Sequence, residues 1–156
     1  MNRTLFLDVD GVLNRVGHHP KGLESDKVEQ LRWIVSATGC RLVISSTWRK
    51  TEHQRQRLMA MAAEIGAEII GWTPVLEQKG ATLWQAAPRW QEIAAWLKER
   101  PEVTNYVILD DERLCAPLAM AGRVVQTGSY TGLTAAKARE VVALLSYGPT
   151  EDPEGL

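Results

Sequence analysis

The architecture of this 156-residue chain is best predicted from residues 5–11, which read Leu5-Phe6-Leu7-Asp8-Val9-Asp10-Gly11. The apolar run 5–9 has no strict polar alternation, which is typical of a strand buried on both faces of a sheet. Similar runs follow at residues 41–45, 68–70, 106–109 and 123–126, and amphipathic helical periods lie between them. The sequence therefore predicts an α/β fold, a doubly wound, Rossmann-like parallel sheet of about five strands with helices on both faces.

Length and charge limit the class of protein. A chain of this length predicts one domain, placed at residues 1–147, with a flexible tail at 148–156. Eighteen basic residues against nineteen acidic ones give a net charge of −1, which argues against a broad cationic surface for nucleic acid. No signal-peptide core or membrane span is evident, so a cytoplasmic protein with no membrane partner and no obligate protein partner is expected. Cys40 and Cys115 are expected to be small buried or nearly buried thiols of a reducing compartment, with one disulfide as the alternative.

Two polar segments interrupt the alternation of strands and helices, at residues 14–24 and 71–88. Neither fits a strand or a helix, and neither is long enough to form a separate cap domain. The first leaves the carboxyl end of the first strand, which is where ligands bind in open α/β sheets. A binding site is therefore expected beside it.

Paired acids follow two of the predicted strands. Asp8 and Asp10 end the first strand, and Asp110 and Asp111 follow the run 106–109. A lone Asp-x-Asp is usually a turn or a helix cap. Two such pairs brought together would repel one another unless a cation joined them, and oxygen ligands suit a hard ion. The residues therefore indicate a Mg²⁺ site.

The strand at 41–45 also ends in polar residues, which read Ser45-Ser46-Thr47-Trp48-Arg49. Hydroxyls, backbone N–H groups at a helix start and a guanidinium are the donors that a phosphate needs. Ser45, Ser46 and Arg49 are therefore candidate phosphate ligands. The alternative is a helix N-cap, since Ser and Thr favour that position, and both interpretations can hold together.

These three strand ends resemble the motifs of the haloacid dehalogenase (HAD) superfamily. The first motif matches residues 8–12, the second matches 42–45 and the fourth matches Asp110-Asp111. Arg89, which opens the predicted helix before the acidic-pair strand, is the better match to the third motif, and Lys79 is the alternative. The amino-acid sequences of the first two motifs and of Gly-Trp-Thr-Pro at 71–74 are most similar to those of small HAD domains associated with RNA repair proteins. An Asp-Asp fourth motif and an Arg third motif depart from the commonest pattern.

The resemblance implies a role for each motif residue. Asp8 would be the nucleophile and form an aspartyl-phosphate, and Asp10 would be the general acid and base. Mg²⁺ would be bound by Asp8, by the backbone carbonyl of Asp10 and by one or both of Asp110 and Asp111. Ser45 and Arg89 would hold the phosphoryl oxygens, with Ser46 as the alternative to Ser45.

The expected function is a Mg²⁺-dependent phosphomonoester hydrolase. Without a cap domain, the open site would suit a bulky phosphate substrate, and nucleic-acid ends or nucleotides are candidates. Two alternatives stay open at this point. One is a non-catalytic module that binds phosphate ends, and the other is a phosphotransferase that uses an acceptor other than water.

Aromatic and histidine side chains invite further interpretations. Trp33, Trp90 and Trp96 lie in predicted amphipathic helices and are expected to pack in or beside the core. Trp48 and Trp72 flank the candidate site, where stacking on an unpaired base is the alternative to packing. The three histidines, which form no cluster with cysteines, are expected to be exposed at positions 18, 19 and 53.

Overall fold

The predicted strands form one parallel sheet. A computed structural model of the chain describes residues 2–18, 21–79, 84–86 and 88–149. Its strands are β1 (Arg3–Leu7), β2 (Arg41–Ile44), β3 (Ile69–Trp72), β4 (Glu77–Lys79), β5 (Trp84–Ala86), β6 (Asn105–Asp110) and β7 (Val124–Gln126). Five of them pair in the order β3-β2-β1-β6-β7, all parallel, so β1 is central and the predicted fold class is confirmed.

Helices connect the strands. They are α1 (Ser25–Thr38), α2 (Glu52–Ile65), α3 (Arg89–Lys98), α4 (Leu118–Ala121) and α5 (Ala135–Tyr147), and a short 3-10 helix, η1, covers Thr47–Lys50. The N-terminus of α2 is capped by Thr51, whose hydroxyl accepts from the backbone N–H of Gln54.

The central strand buries opposite faces with alternate residues. Leu5 and Leu7 pack with the apolar sides of α1, α2 and α5. Phe6 faces the other way, into a cluster with Ile93 and Trp96 of α3. Two helical layers thus cover the sheet, which explains why β1 shows no polar alternation in the sequence.

The segment 71–88 is more regular than predicted. Its first residues complete β3, and β4 and β5 form an antiparallel hairpin that pairs Glu77 with Ala86. Strands of three residues are too short to show a period of two, so the sequence pattern did not reveal them. Among the described residues this hairpin is the whole insertion after β3, and no cap domain is present.

Several smaller expectations can be compared with the structure. Cys40 is a buried free thiol, whereas Cys115 is a free thiol on the surface. Trp33 is 44% exposed, so the expectation that it packs in or beside the core was wrong, whereas Trp96 is buried. His18 and His53 are exposed, and His19 lies outside the described residues. None of the described helices is long and apolar enough to cross a membrane.

Candidate active site

Three adjacent strands bring their polar ends to one edge of the sheet. Backbone N–H groups of Asp8 and Ser45 donate to Leu109 and Leu7, so the parallel ladders continue one residue past β1 and β2. Asp8, Ser45 and Asp110 each follow a core residue of the α3 face by two positions, namely Phe6, Val43 and Ile108. Because side chains alternate along a strand, all three are directed to the face on which α3 packs.

An acidic cluster lies at this edge. One carboxylate oxygen from each of Asp8, Asp110 and Asp111 lies within 4.8 Å of the others. Asp8 and Asp110 are buried, and Asp111 is half-buried. Burial, followed by repulsion from Asp110, raises the pKa of Asp8 well above its usual range, and burial also raises the pKa of Asp110. Two buried carboxylates whose ionisation is disfavoured, together with the carboxylate of Asp111, fit a hard divalent cation, which would offset their charge.

Arg89 faces the same carboxylates. It is the first residue of α3, and its Nη1 donates to Asp110 Oδ2 at 2.7 Å and lies 3.1 Å from Asp8 Oδ2. Burial alone would lower the pKa of the guanidinium, but attraction to Asp8 and Asp110 outweighs burial and raises it. Arg89 is therefore a permanent cation beside the predicted nucleophile. The side chain of Lys79, the alternative, lies outside the described part of the chain.

Gly11 allows Asp111 to approach the first strand end. Its φ is +82°, and a Cβ at this position would lie 2.1 Å from Asp111 Oδ2. Ser129 Oγ donates to Asp111 Oδ2 at 2.8 Å, and Thr127 Oγ1 donates to the carbonyl of Gly11 at 2.7 Å. The loop after β7 thus braces both acidic motifs. The sequence carries no local signal for this loop, because its contacts join distant parts of the chain.

Asp10 lies outside the acidic cluster. The chain turns directly after β1, where the backbone N–H groups of residues 12 and 13 both donate to the carbonyl of residue 9. Asp10 Oδ1 accepts from Asn14 Nδ2 at 2.9 Å and from Trp48 Nε1 at 3.2 Å, while Lys21 Nζ lies 3.4 Å from Oδ2. The predicted metal contact of the Asp10 backbone carbonyl stays a prediction.

Trp48 and Asn14 were not among the predicted site residues. Trp48 is 2% exposed, so its ring offers little face for stacking on a base. Trp72 is partly buried and packs against the core cluster of α1, α2 and α5. The spacing of four residues between Asp10 and Asn14 is the one signal in the sequence, since residues this far apart meet on a helical turn.

The two serines after β2 have different environments. Ser46 Oγ accepts from the backbone N–H of Trp48 at 3.1 Å and caps η1. Ser45 Oγ is buried and has no hydrogen-bond partner among the described residues. A buried hydroxyl without a partner is costly, so this geometry favours Ser45 as the residue that meets a ligand.

The guanidinium of Arg49 donates its hydrogen bonds to other groups of the protein. Its Nη2 pairs with Glu92 Oε2 at 2.9 Å, and both side chains are buried. The remaining donors reach four backbone carbonyls, those of Ser45, Ser46, Thr73 and Pro74. These contacts favour a structural role over the predicted phosphate contact. Glu92, which sequence reasoning missed, also accepts from the backbone N–H of Leu76 at 2.9 Å and so anchors the start of the hairpin.

One of three comparisons with known proteins identifies the family of the chain. Searches of curated proteins and of solved structures found no match. A family model described as "HAD domain in Swiss Army Knife RNA repair proteins" matches residues 4–138. Except for Arg3, the first residue of β1, the matched range includes every strand of the sheet, and it includes every candidate site residue described above. The chain therefore belongs to the family of HAD domains found in Swiss Army Knife RNA repair proteins.

Proposed function

We propose that this protein is a Mg²⁺-dependent phosphomonoester hydrolase that acts through an aspartyl-phosphate on Asp8. The observation that carries the proposal is the buried cluster of Asp8, Asp110 and Asp111, within 4.8 Å of one another, with Arg89 contacting two of them. Buried carboxylates that repel one another destabilise a fold unless a ligand compensates them. A divalent metal ion, as HAD domains use, would supply that compensation.

The residues present fit a hard cation. The carboxylates of Asp8, Asp110 and Asp111 and the backbone carbonyl of Asp10 would hold Mg²⁺, which would offset negative charge between nucleophile and phosphate. All of these ligands are oxygen atoms, which match the preference of Mg²⁺.

Side chains of the protein carry out the nucleophilic attack and the proton transfers. An Asp8 carboxylate oxygen attacks phosphorus, and the bond from phosphorus to the leaving oxygen breaks. Asp10 gives its proton to that leaving oxygen, and in the second half-reaction it takes a proton from the water that attacks the aspartyl-phosphate. Arg89 and Ser45 hold the phosphoryl oxygens, where charge builds up in the transition state.

The substrate is proposed to be bulky, with phosphorylated nucleic-acid ends and nucleotides as the candidates. The described residues contain no cap domain, and the Asp10 side chain is 28% exposed, so the leaving-group side of the site is open. The description of the matched family, which refers to RNA repair, supports nucleic-acid ends. A net charge of −1 means that binding would depend on local cations such as Arg89 and Lys21.

The test is Mg²⁺-dependent phosphate release by the wild type and by Asp8→Asn. The panel should contain p-nitrophenyl phosphate, nucleotides, sugar phosphates, and RNA and DNA oligonucleotides with phosphate at either end. The wild type should release phosphate with Mg²⁺ but not with EDTA. Asp8→Asn should lose at least about 10³-fold in rate without a lower melting temperature, because the nucleophile is gone and a destabilising buried charge is removed. Equal rates would disprove the mechanism.

The same panel separates the alternatives. A folded wild type that binds Mg²⁺ and phosphate but releases none would indicate a binding module. Product analysis in the presence of added alcohols would separate hydrolysis from phosphoryl transfer, because transfer gives a new phosphate ester in place of free phosphate.

A further inference from the structure

We propose that Trp48 and Asn14 are positioning residues that hold Oδ1 of Asp10, so that Oδ2 is the oxygen that gives its proton to the leaving group. The inference rests on the proposed hydrolase function and goes beyond it, because neither residue belongs to the motifs that define the site. Both contacts lie on the same carboxylate oxygen, from Trp48 Nε1 at 3.2 Å and from Asn14 Nδ2 at 2.9 Å.

The indole of Trp48 is fixed from several sides. The backbone N–H of Trp48 donates to the Ser46 hydroxyl at the start of η1. The guanidinium carbon of Arg57 lies over the indole, 5.2 Å from the ring centroid. The residue is 2% exposed, so the ring has little freedom to leave Asp10. A donor held in this way costs little conformational entropy when the hydrogen bond forms.

Asn14 is fixed as firmly. Its Oδ1 accepts from the backbone N–H of Gly11 at 3.0 Å, and its Nδ2 also donates to the carbonyl of Gly22 at 3.0 Å. The side chain thus joins the turn that carries Asp10 to the far end of the polar segment 14–24. At 4% exposure it is buried although it is polar, which its hydrogen bonds explain.

The other oxygen of Asp10 has a different environment. Within the described part of the chain, Oδ2 has a charged contact with Lys21 Nζ at 3.4 Å, and the Lys21 side chain is 65% exposed. Two neutral donors occupy the lone pairs of Oδ1, so Oδ2 is the oxygen that stays available to a leaving group or a water molecule. Displacement of a catalytic group by about 1 Å can cost about 10²-fold in rate, so fixing this carboxylate has catalytic value.

Positioning of a general acid has a distinctive kinetic signature. A nitrophenolate leaves without help from an acid, whereas an alkoxide needs a proton as the bond to phosphorus breaks. General acid catalysis contributes about 10²–10⁴-fold to the rate. This contribution is largest for substrates with poor leaving groups. Loss of positioning should therefore slow an alkyl phosphate more than an aryl phosphate, whereas a purely structural defect should slow both equally.

The test compares kcat/KM for benzyl phosphate and p-nitrophenyl phosphate, which are similar in size. Trp48→Phe and Asn14→Ala should each lose about tenfold on benzyl phosphate and about twofold or less on p-nitrophenyl phosphate. Trp96→Phe is the matched control, because Trp96 is also buried but its Nε1 has no hydrogen-bond partner among the described residues. It should change both substrates by the same factor.

A second variant at Trp48 tests the same hydrogen bond if the first variants do not fold. Benzothienylalanine in place of Trp48 keeps the ring volume and replaces the N–H donor with sulfur, so it removes only the hydrogen bond to Asp10. If Trp48→Phe or Asn14→Ala loses its melting transition, this variant decides the question with the same two substrates.

The outcomes separate this inference from the proposed function. Equal losses on both substrates, or no loss on either, overturn the positioning role while turnover that needs Asp8 leaves the hydrolase intact. Turnover that survives Asp8→Asn overturns both. A selective loss on benzyl phosphate, together with an unchanged ratio in Trp96→Phe, supports the inference.

Discussion

Two arginines lie at the same edge of the sheet, and the structure gives them opposite tasks. Arg49 is 3% exposed in its side chain, pairs with Glu92 and donates to four backbone carbonyls. Arg89 is 15% exposed and contacts the carboxylates of Asp8 and Asp110. The first joins loops of the protein, while the second faces acids that the proposed chemistry would use.

The pKa values of the two guanidiniums are also shifted in opposite directions. Burial lowers the pKa of Arg49 although Glu92 acts in the opposite direction, whereas Asp8 and Asp110 outweigh burial and raise the pKa of Arg89. A guanidinium whose donors end on carbonyls has no donor left for a ligand. A guanidinium beside two buried acids can exchange one contact for a phosphate oxygen.

The largest expected effect on stability comes from breaking the Arg49 pair. Arg49→Met should lower the free energy of unfolding by about 3–5 kcal/mol, because Glu92 is left buried and charged without its partner. Urea unfolding measures this change. Activity per folded molecule should fall much less than stability does.

The double variant Arg49→Met/Glu92→Leu sharpens this prediction. Its loss of stability should be smaller than the sum of the two single losses, since it leaves no uncompensated charge. Additive losses would show that the two side chains act independently and would remove the basis for a structural ion pair.

Replacement of Arg89 should have the opposite profile. Arg89→Met should lower kcat/KM for p-nitrophenyl phosphate by about 10²–10³-fold, since a donor to the transferring phosphoryl group is lost. Arg89→Lys should retain more activity, because it keeps the charge and loses only the planar fork. Unchanged kcat/KM in Arg89→Met would contradict this role and would favour Lys79 as the phosphate-binding residue.

This contrast between the arginines also marks what the sequence can reveal. The strands and the three acidic or hydroxyl strand ends are predictable, because apolar runs and the residues that follow them are local patterns. Arg89 is predictable because it opens a helix next to the acidic-pair strand. The contacts of Arg49 are not predictable, because they involve Glu92 and carbonyls of another loop, which no spacing in the sequence reveals.

The environment of Asp10 illustrates the same limit. An extended Asp8-Val9-Asp10 segment would direct both carboxylates to one side, but the turn after β1 separates them. Trp48 then reaches Asp10 from the segment that follows another strand, at 3.2 Å. Contacts between strand ends depend on strand order, and the sequence predicts a parallel sheet without giving that order.

The acids beside Arg89 predict a pH dependence of stability in EDTA. The raised pKa of Asp8 means that the folded state binds protons more tightly than the unfolded chain, whose aspartates titrate near pH ~3.9. This contribution to stability is present below that pH and is lost as pH rises through the raised pKa. Relative to Asp8→Asn, the wild type should therefore become less stable as pH increases above about 4.

Two measurements complete this prediction. Surface acids such as Glu52, whose pKa is lowered by a hydrogen bond from Arg55, have the opposite pH dependence, so only the difference between wild type and Asp8→Asn is informative. Addition of Mg²⁺ should reverse the trend in the wild type, because metal binding favours the ionised carboxylates. Parallel stability curves for the two proteins in EDTA would contradict the raised pKa of Asp8.

The smallest expected effects distinguish the two serines beside Arg49. Ser45→Ala should lower kcat/KM by about tenfold and leave the free energy of unfolding within about 0.5 kcal/mol of wild type, because the deleted hydroxyl has no protein partner. Ser46→Ala should do the reverse, with a loss of about 1 kcal/mol from the uncapped η1 and nearly full activity. Urea unfolding and phosphatase kinetics on the same preparations measure both. If Ser46→Ala instead loses activity, Ser46 is the phosphate ligand. Ser45→Ala should then keep its activity, because its hydroxyl would hold no phosphoryl oxygen.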